Sequence, residues 1–167
     1  TLDTVSLKYK KLATIAVISE ELARFSTPSA ELIIRDSLAA AIIQQGDADF
    51  INPANAGTTD VKPAAITNGV TAIPSSGSDY DAVLADIQAL FAPFIAANLS
   101  PRNGVWIMSA TNALALSMMR LPTNEGGGLA FPGLTMNGGT FFGMPAVVSE
   151  AVGNIVVLAN ASDIMLA

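Results

Sequence analysis

The feature that most constrains this chain is the run from Thr27 to Phe50, TPSAELIIRDSLAAAIIQQGDADF. Thr27 is a favourable helix N-cap, and Pro28 suits the first helical position because its missing N–H would have no partner there. Leu32, Ile34, Leu38, Ala41 and Ile42 recur at steps of three and four, the spacing of one buried helix face. Glu31 and Arg35 stand four apart in the favourable order, on a more polar flank with Asp36. Gly46 either ends the helix or is absorbed in one that reaches Phe50, and the longer version spans about 35 Å. A rod of that length in a small domain is a spine on which flanking strands and a second lobe are hung.

The rest of the chain gives that spine little polar cover. Apolar residues make up 51% and charged residues only 13%, against a usual charged share of about 25%. So much apolar surface has to be hidden, and contacts between subunits would hide it. A membrane is the other candidate, but the best stretch, Ala82 to Leu99, holds Asp86, Gln88, Pro93 and Asn98. It falls short of the roughly 20 unbroken apolar residues that a span needs. The chain therefore reads as soluble. The start carries no basic–apolar–small signal segment, and Thr1 opens in mid-pattern, as a piece cut from something longer would.

Chemistry is excluded more sharply. The net charge is −6, and the eight Lys and Arg residues are scattered, so the chain lacks the basic cluster that gripping nucleic acid requires. A wall that DNA slides past remains compatible with this balance. Without cysteine or histidine there is no disulfide, no thiolate and no histidine-based triad, and no Ser-x-x-Lys spacing replaces them. The acidic pairs Glu20–Glu21, Asp47–Asp49 and Asp79–Asp81 read as solvated helix ends. The Asp-x-Asp run lacks the glycine and distal glutamate of a calcium loop. Gly126–Gly128 lacks the Lys-Ser/Thr of a phosphate loop. The expectation is a non-enzyme with no catalytic residue, no cofactor and no metal.

In order along the chain, Val5, Leu7 and Tyr9 alternate with polar residues as a half-buried strand does, and Leu12 to Ile18 reads as a strand buried on both faces. Lys8, Lys10 and Lys11 form a small basic cluster, either solvated guards of an edge strand or contacts to acidic neighbours. Ser19 caps a short helix. After the spine, the Asn-, Gly- and Pro-rich residues 51–64 form a loop or hinge, and a strand or turn comes next around Asn68-Gly69. A second helix runs over 78–99, capped by Ser78, burying Val83, Leu84, Ile87, Leu90 and Phe91, and ended or kinked by Pro93. Val105–Met108 is a buried strand with Trp106 in the core, and Ser109 opens a third helix through Met119. Leu121–Gly128 is a mobile loop, and Asn137–Gly139 a turn. GTFFGMPAVVS then forms a strand pair or bent strand, and IVVL and IML are two further strands. The fold class is α+β.

Three segments in order carry a resemblance. The first is KYKKLATIAVISEELARFS with the helix ending IIQQGDADFIN, the second NGVWIMSATNALALSMMRL, and the third GTFFGMPAVVSEAV with IVVLANASDIMLA after it. Together they resemble the major capsid proteins of tailed bacteriophages and prophages, the family with the Hong Kong phage-type capsid fold. That resemblance implies a two-lobed shell subunit: residues 1–52 as a partial peripheral lobe of strands plus spine helix, and 57–167 as an axial lobe. The N-terminal arm and the final C-terminal segment of the family lie outside this stretch. It further implies a virion protein made in the bacterial host cytoplasm. Its partners are copies of itself in hexamers and pentamers around DNA, with a scaffold or maturation protease as a further partner. No sequence-specific nucleic acid and no membrane partner is implied. Arg102, Arg120 and Glu125 are the expected contacts around the capsomer axis. Lys8, Lys10, Lys11, Glu20, Glu21, Arg24, Glu31 and Arg35 are those between peripheral lobes. A tail or adhesion component is the alternative, and a capsid-maturation protease domain a more distant one.

Overall fold

A computed structural model describes residues 12–17, 20, 28–59 and 61–164. Among them are three α-helices and a five-stranded mixed sheet, an α+β architecture, in two compact units that divide between Asn68 and Gly69.

The first unit is dominated by α1 (Pro28–Ile51), a continuous helix of 24 residues. Gly46 is absorbed in its interior rather than ending it. The Thr27 cap and the strand over residues 5–9 lie outside the described residues. The burial expected of the helix is not found among the described residues. Ile34 and Leu38 are half-buried, whereas Leu32, Ala41 and Ile42 are exposed. Leu12 to Val17 likewise corrects the expectation drawn from sequence. Instead of a strand covered on both faces it has no regular structure, and Ile15 and Val17 are 88% and 95% exposed. The physical reason is common to both. Periodicity reports which side chains need cover, while a single chain supplies only the cover that its own elements bring.

The C-terminal end of α1 is tied down by the segment after it. The last carbonyls of a helix have no intrahelical donor, and residues 55–67 supply donors one by one. Asn55 Nδ2 donates to the Asp49 carbonyl at 2.7 Å, the Ile66 N–H to Phe50 at 2.9 Å, and Thr67 Oγ1 to Ile51 at 2.6 Å. Asn55 is buried, and its Oδ1 accepts from the Gly57 N–H at 3.1 Å. The stretch read as a loop or hinge is a loop that caps the helix, with a turn at 66–69.

In the second unit, α2 (Tyr80–Ala96) packs Ile87, Leu90 and Phe91 into the core, with Val83 half-buried beside them. Asp79, not Ser78, is its N-cap, and Pro93 lies inside the helix, which runs one more turn to Ala96. Then β1 (Gly104–Met108) leads through Ser109 into α3 (Ala110–Ser117). Ser109 Oγ accepts from the Asn112 N–H at 3.4 Å, as an N-cap should, and α3 stops two residues short of Met119.

The remaining strands are β2 (Leu134–Thr135), β3 (Gly138–Phe141), β4 (Met144–Val148) and β5 (Val156–Asn160). Their order is β2-β3-β4-β1-β5, with β1 parallel to β4 and every other pair antiparallel. The turn between β2 and β3 is Met136-Asn137, beginning one residue before the expected Asn137–Gly139, because Thr135 pairs with Gly138. Of the last expected strand, Ile164 lies outside β5 and the residues after it are outside the described set.

Side chains of a strand alternate between faces. Trp106 and Met108 of β1, Ala146 of β4 and Phe141 of β3 point to one face and join Ile87 and Ala113 in a single buried cluster. Trp106 is its centre, fully buried and edge-on to Phe91 (5.8 Å) and Phe141 (5.2 Å). This face carries the helices. The alternate residues of the same strands face the other way.

Candidate functional site

The charged residues singled out from sequence are scattered over the described structure. Arg102 is exposed on the turn before β1, where the Gly104 N–H donates to the Pro101 carbonyl at 3.0 Å. Arg120 and Glu125 share one loop. A bridge between Arg120 and Leu129 closes it, and Arg120 Nη1 donates to the Gly127 carbonyl at 3.3 Å. Glu125 is exposed on a single 3-10 turn in that loop, which then reverses at Gly126 with φ 100°. In the first unit Arg35 pairs with its neighbour Asp36 at 3.0 Å instead of with Glu31 one turn back, and both partners are largely exposed. An ion pair of that kind contributes little. Glu31 and Glu20 are also exposed. Lys8, Lys10, Lys11, Glu21 and Arg24 lie outside the described residues.

Two members of the acidic pairs, Asp49 and Asp79, lie at helix ends. Asp49 accepts from Lys62 Nζ at 3.1 Å and from Gln45 Nε2 at 2.8 Å, beside the capped end of α1. Asp79 begins α2. Asp86, one turn before Leu90, holds the preceding segment to the helix. Its carboxylate accepts from the Ser76 N–H at 2.9 Å and from Ser75 Oγ at 2.8 Å. Hydrogen bonds from Ser76, and then from Ser75, hold its pKa below the usual carboxylate value. Glu150 Oε1 accepts from the Ala110 N–H at 2.9 Å, placing a negative charge at the start of α3, where the helix dipole favours it. Nothing in the sequence singled out Asn55, Asp86 or Glu150. Their signals are one polar residue among many, and only the tertiary arrangement gives each its donors. Among the described residues no group of acidic side chains converges in a way that could hold a metal ion.

A groove of about 360 Å³ opens between the start of α2 and the β3–β4 hairpin, lined by Tyr80, Leu84, Ala130, Phe131, Pro132, Gly133, Thr140, Phe141 and Phe142. It holds no carboxylate, lysine or arginine, and Tyr80 is the one ionisable side chain in its lining. Its rim is Phe142, which with Gly143 forms the two-residue hairpin turn; both have positive φ, 49° and 75°. That is the pattern of a type I′ turn, where Asn or Gly is usual at the first position. The Phe142 ring leans on Phe141 (5.0 Å) and Phe131 (5.6 Å) yet remains 46% exposed.

What the surface does offer is apolar contact. Ile33 and Ile43 on α1 are 69% and 65% exposed, and Val70, Ile95, Leu99, Met118, Leu129 and Met136 are exposed in the second unit. Exposed hydrophobics are ordinary on protein surfaces, and here they stand on a chain with few charges. No helix among the described residues is long and apolar enough to cross a membrane.

Comparison with known proteins agrees with this geometry. A family model described as the phage capsid family matches residues 1–167. The capsid polyprotein of Pseudomonas phage PAJU2 is 54% identical over 166 residues, covering 96% of this chain and 24% of the relative. The chain thus spans about a quarter of the length of that relative. No solved structure matches.

Proposed function

This chain belongs to the phage capsid family, and from that premise we propose that it is the shell-forming part of a longer capsid protein, packing laterally against copies of itself to enclose DNA. The observation that carries this reading is the surface of the second unit and of α1. Large apolar side chains stand in solvent on a chain with few charges, and no cleft among the described residues gathers reactive groups. Identical subunits close into a shell when patches on one meet complementary patches on the next by a repeated symmetry operation. Apolar, weakly charged patches suit that task, because a net charge of −6 on every copy opposes contact wherever charges face one another.

In this reading the unit built on α1 belongs to the peripheral lobe, and the unit built on the five-stranded sheet gathers around the capsomer axis in hexamers and pentamers. Arg102, Arg120 and Glu125 meet neighbours around that axis. Glu20, Glu31 and Arg35, with Lys8, Lys10, Lys11, Glu21 and Arg24, serve between peripheral lobes. The shell is assembled in the host cytoplasm, with a scaffold or maturation protease as an accessory partner, and the finished protein resides in the virion. The relative's description as a polyprotein supports a parent with segments beyond this one.

Electron microscopy of the full-length parent, expressed in bacteria with and without its accompanying gene products, tests the reading. Closed shells or free hexamers and pentamers are expected. Monomeric or amorphous material across salt and pH would overturn it.

A further inference from the structure

We propose that the face of the sheet turned away from the helices is a contact surface for a second copy of this chain, centred on the row Val147–Ile107–Val157. The proposal rests on the capsid reading and assigns one of its contacts. The register is fixed: Ile107 of β1 stands opposite Val147 of β4 on one side and Val157 of β5 on the other. By strand alternation Val105, Pro145 and Ala159 share that face. A sheet covered on one side by helices usually alternates apolar-in, polar-out, so that its open face is wetted by polar side chains. Here the middle of the open face is apolar too: Thr135 and Thr140 lie on it only toward the β2–β3 edge, while Ile107 and Val157 at its centre are half-buried. Trp106, Met108 and Ala146 fill the core beneath the helices, and the opposite row holds no charged residue, although Val147 is 51% exposed.

The choice of occupant rests on charge and chain. The subunit carries a net charge of −6. Two like-charged copies approach at least cost where neither presents a charge, and this face presents none. A β-branched surface of this kind also packs well against another flat apolar surface, at the roughly 10 Å spacing of stacked sheets. A partner rich in basic residues, by contrast, would find no acidic side chain here to meet.

The test uses the full-length parent protein under conditions where the wild type forms shells. Replacing Val147 by the photo-crosslinking residue p-benzoylphenylalanine and irradiating assembled shells is expected to give a product of twice the subunit mass. Peptide mapping should place both ends of that link in capsid chains. Val147→Glu is expected to keep the wild-type far-UV spectrum and urea midpoint while lowering shell yield about tenfold or more, and Val147→Thr to assemble normally. Should Val147→Glu fail to fold, the cross-link decides alone. The proposal is overturned if shells form but the cross-link stays within one chain, reaches a different protein or is absent, or if folded Val147→Glu assembles at wild-type yield. In those cases the capsid reading stands. If the wild-type parent forms no shell under any condition, both fall.

Discussion

Phe142 holds a left-handed backbone that an aromatic residue seldom adopts, and its ring is held by Phe131 and Phe141 while nearly half of it stays in solvent. Trp106 shows the opposite economy. It is wholly enclosed, and its Nε1 has no hydrogen-bond partner among the described residues, so ring packing and shape fix it in place. Asp86 is the residue whose role can be read by titration. Its folded-state pKa lies below the unfolded value because Ser76 and Ser75 donate to its charged form. A carboxylate lowered in this way stabilises the fold above its unfolded pKa, and the effect disappears as pH falls through the folded value. Asp86→Asn should therefore be less stable than wild type at pH 6, and the gap should close as pH falls below the ordinary carboxylate value of 3.8. Urea unfolding of both proteins across that range checks this, and a gap independent of pH would refute the assignment.

Among the elements, α1 shows most clearly how local pattern and tertiary cover separate. Its helical period is written in the sequence, yet its Leu32, Ile33, Ile42 and Ile43 are exposed, with no layer against them among the described residues. Its end is secured by Asn55, Ile66 and Thr67, residues from a stretch that reads as a loop. Gly46 is the weak point of the rod. A Cβ built there meets nothing within 4 Å, and glycine in a helix interior is less favourable than alanine by about 1 kcal/mol. Gly46→Ala is expected to raise stability by about 0.5–1 kcal/mol, read as a shift in the urea midpoint of unfolding. No gain would mean that the unfolding transition does not include α1. In the second unit, Ser109 and Glu150 together begin α3, a helix of eight residues whose brevity makes such capping matter.

At the scale of the whole molecule, two tendencies oppose each other. Exposed apolar side chains favour association, and a net charge of −6 resists it. Salt weakens the second and leaves the first, because the screening length falls from about 30 Å at 0.01 M to about 3 Å at 1 M ionic strength. The weight-average mass of this chain in sedimentation equilibrium should therefore rise with sodium chloride over that range. A mass that falls with salt would show that contacts between opposite charges, such as Arg102, Arg120 and Glu125 would make, govern association instead.

The amino-acid sequence alone determined the helical rod, the buried strand around Trp106, the face of α2 and the absence of cysteine and histidine chemistry. Each depends on period, on local capping or on residue types that are simply missing. Tertiary structure alone decided that β1 runs parallel to β4 in the middle of the sheet, that Asn55 closes α1, and that Glu150 meets α3 from 40 positions away. It also decided that the greasy sides of α1 and of segment 12–17 are left open. Pairing partners distant along the chain leave no mark in local spacing, and an apolar residue looks the same in sequence whether its own chain or a neighbour covers it.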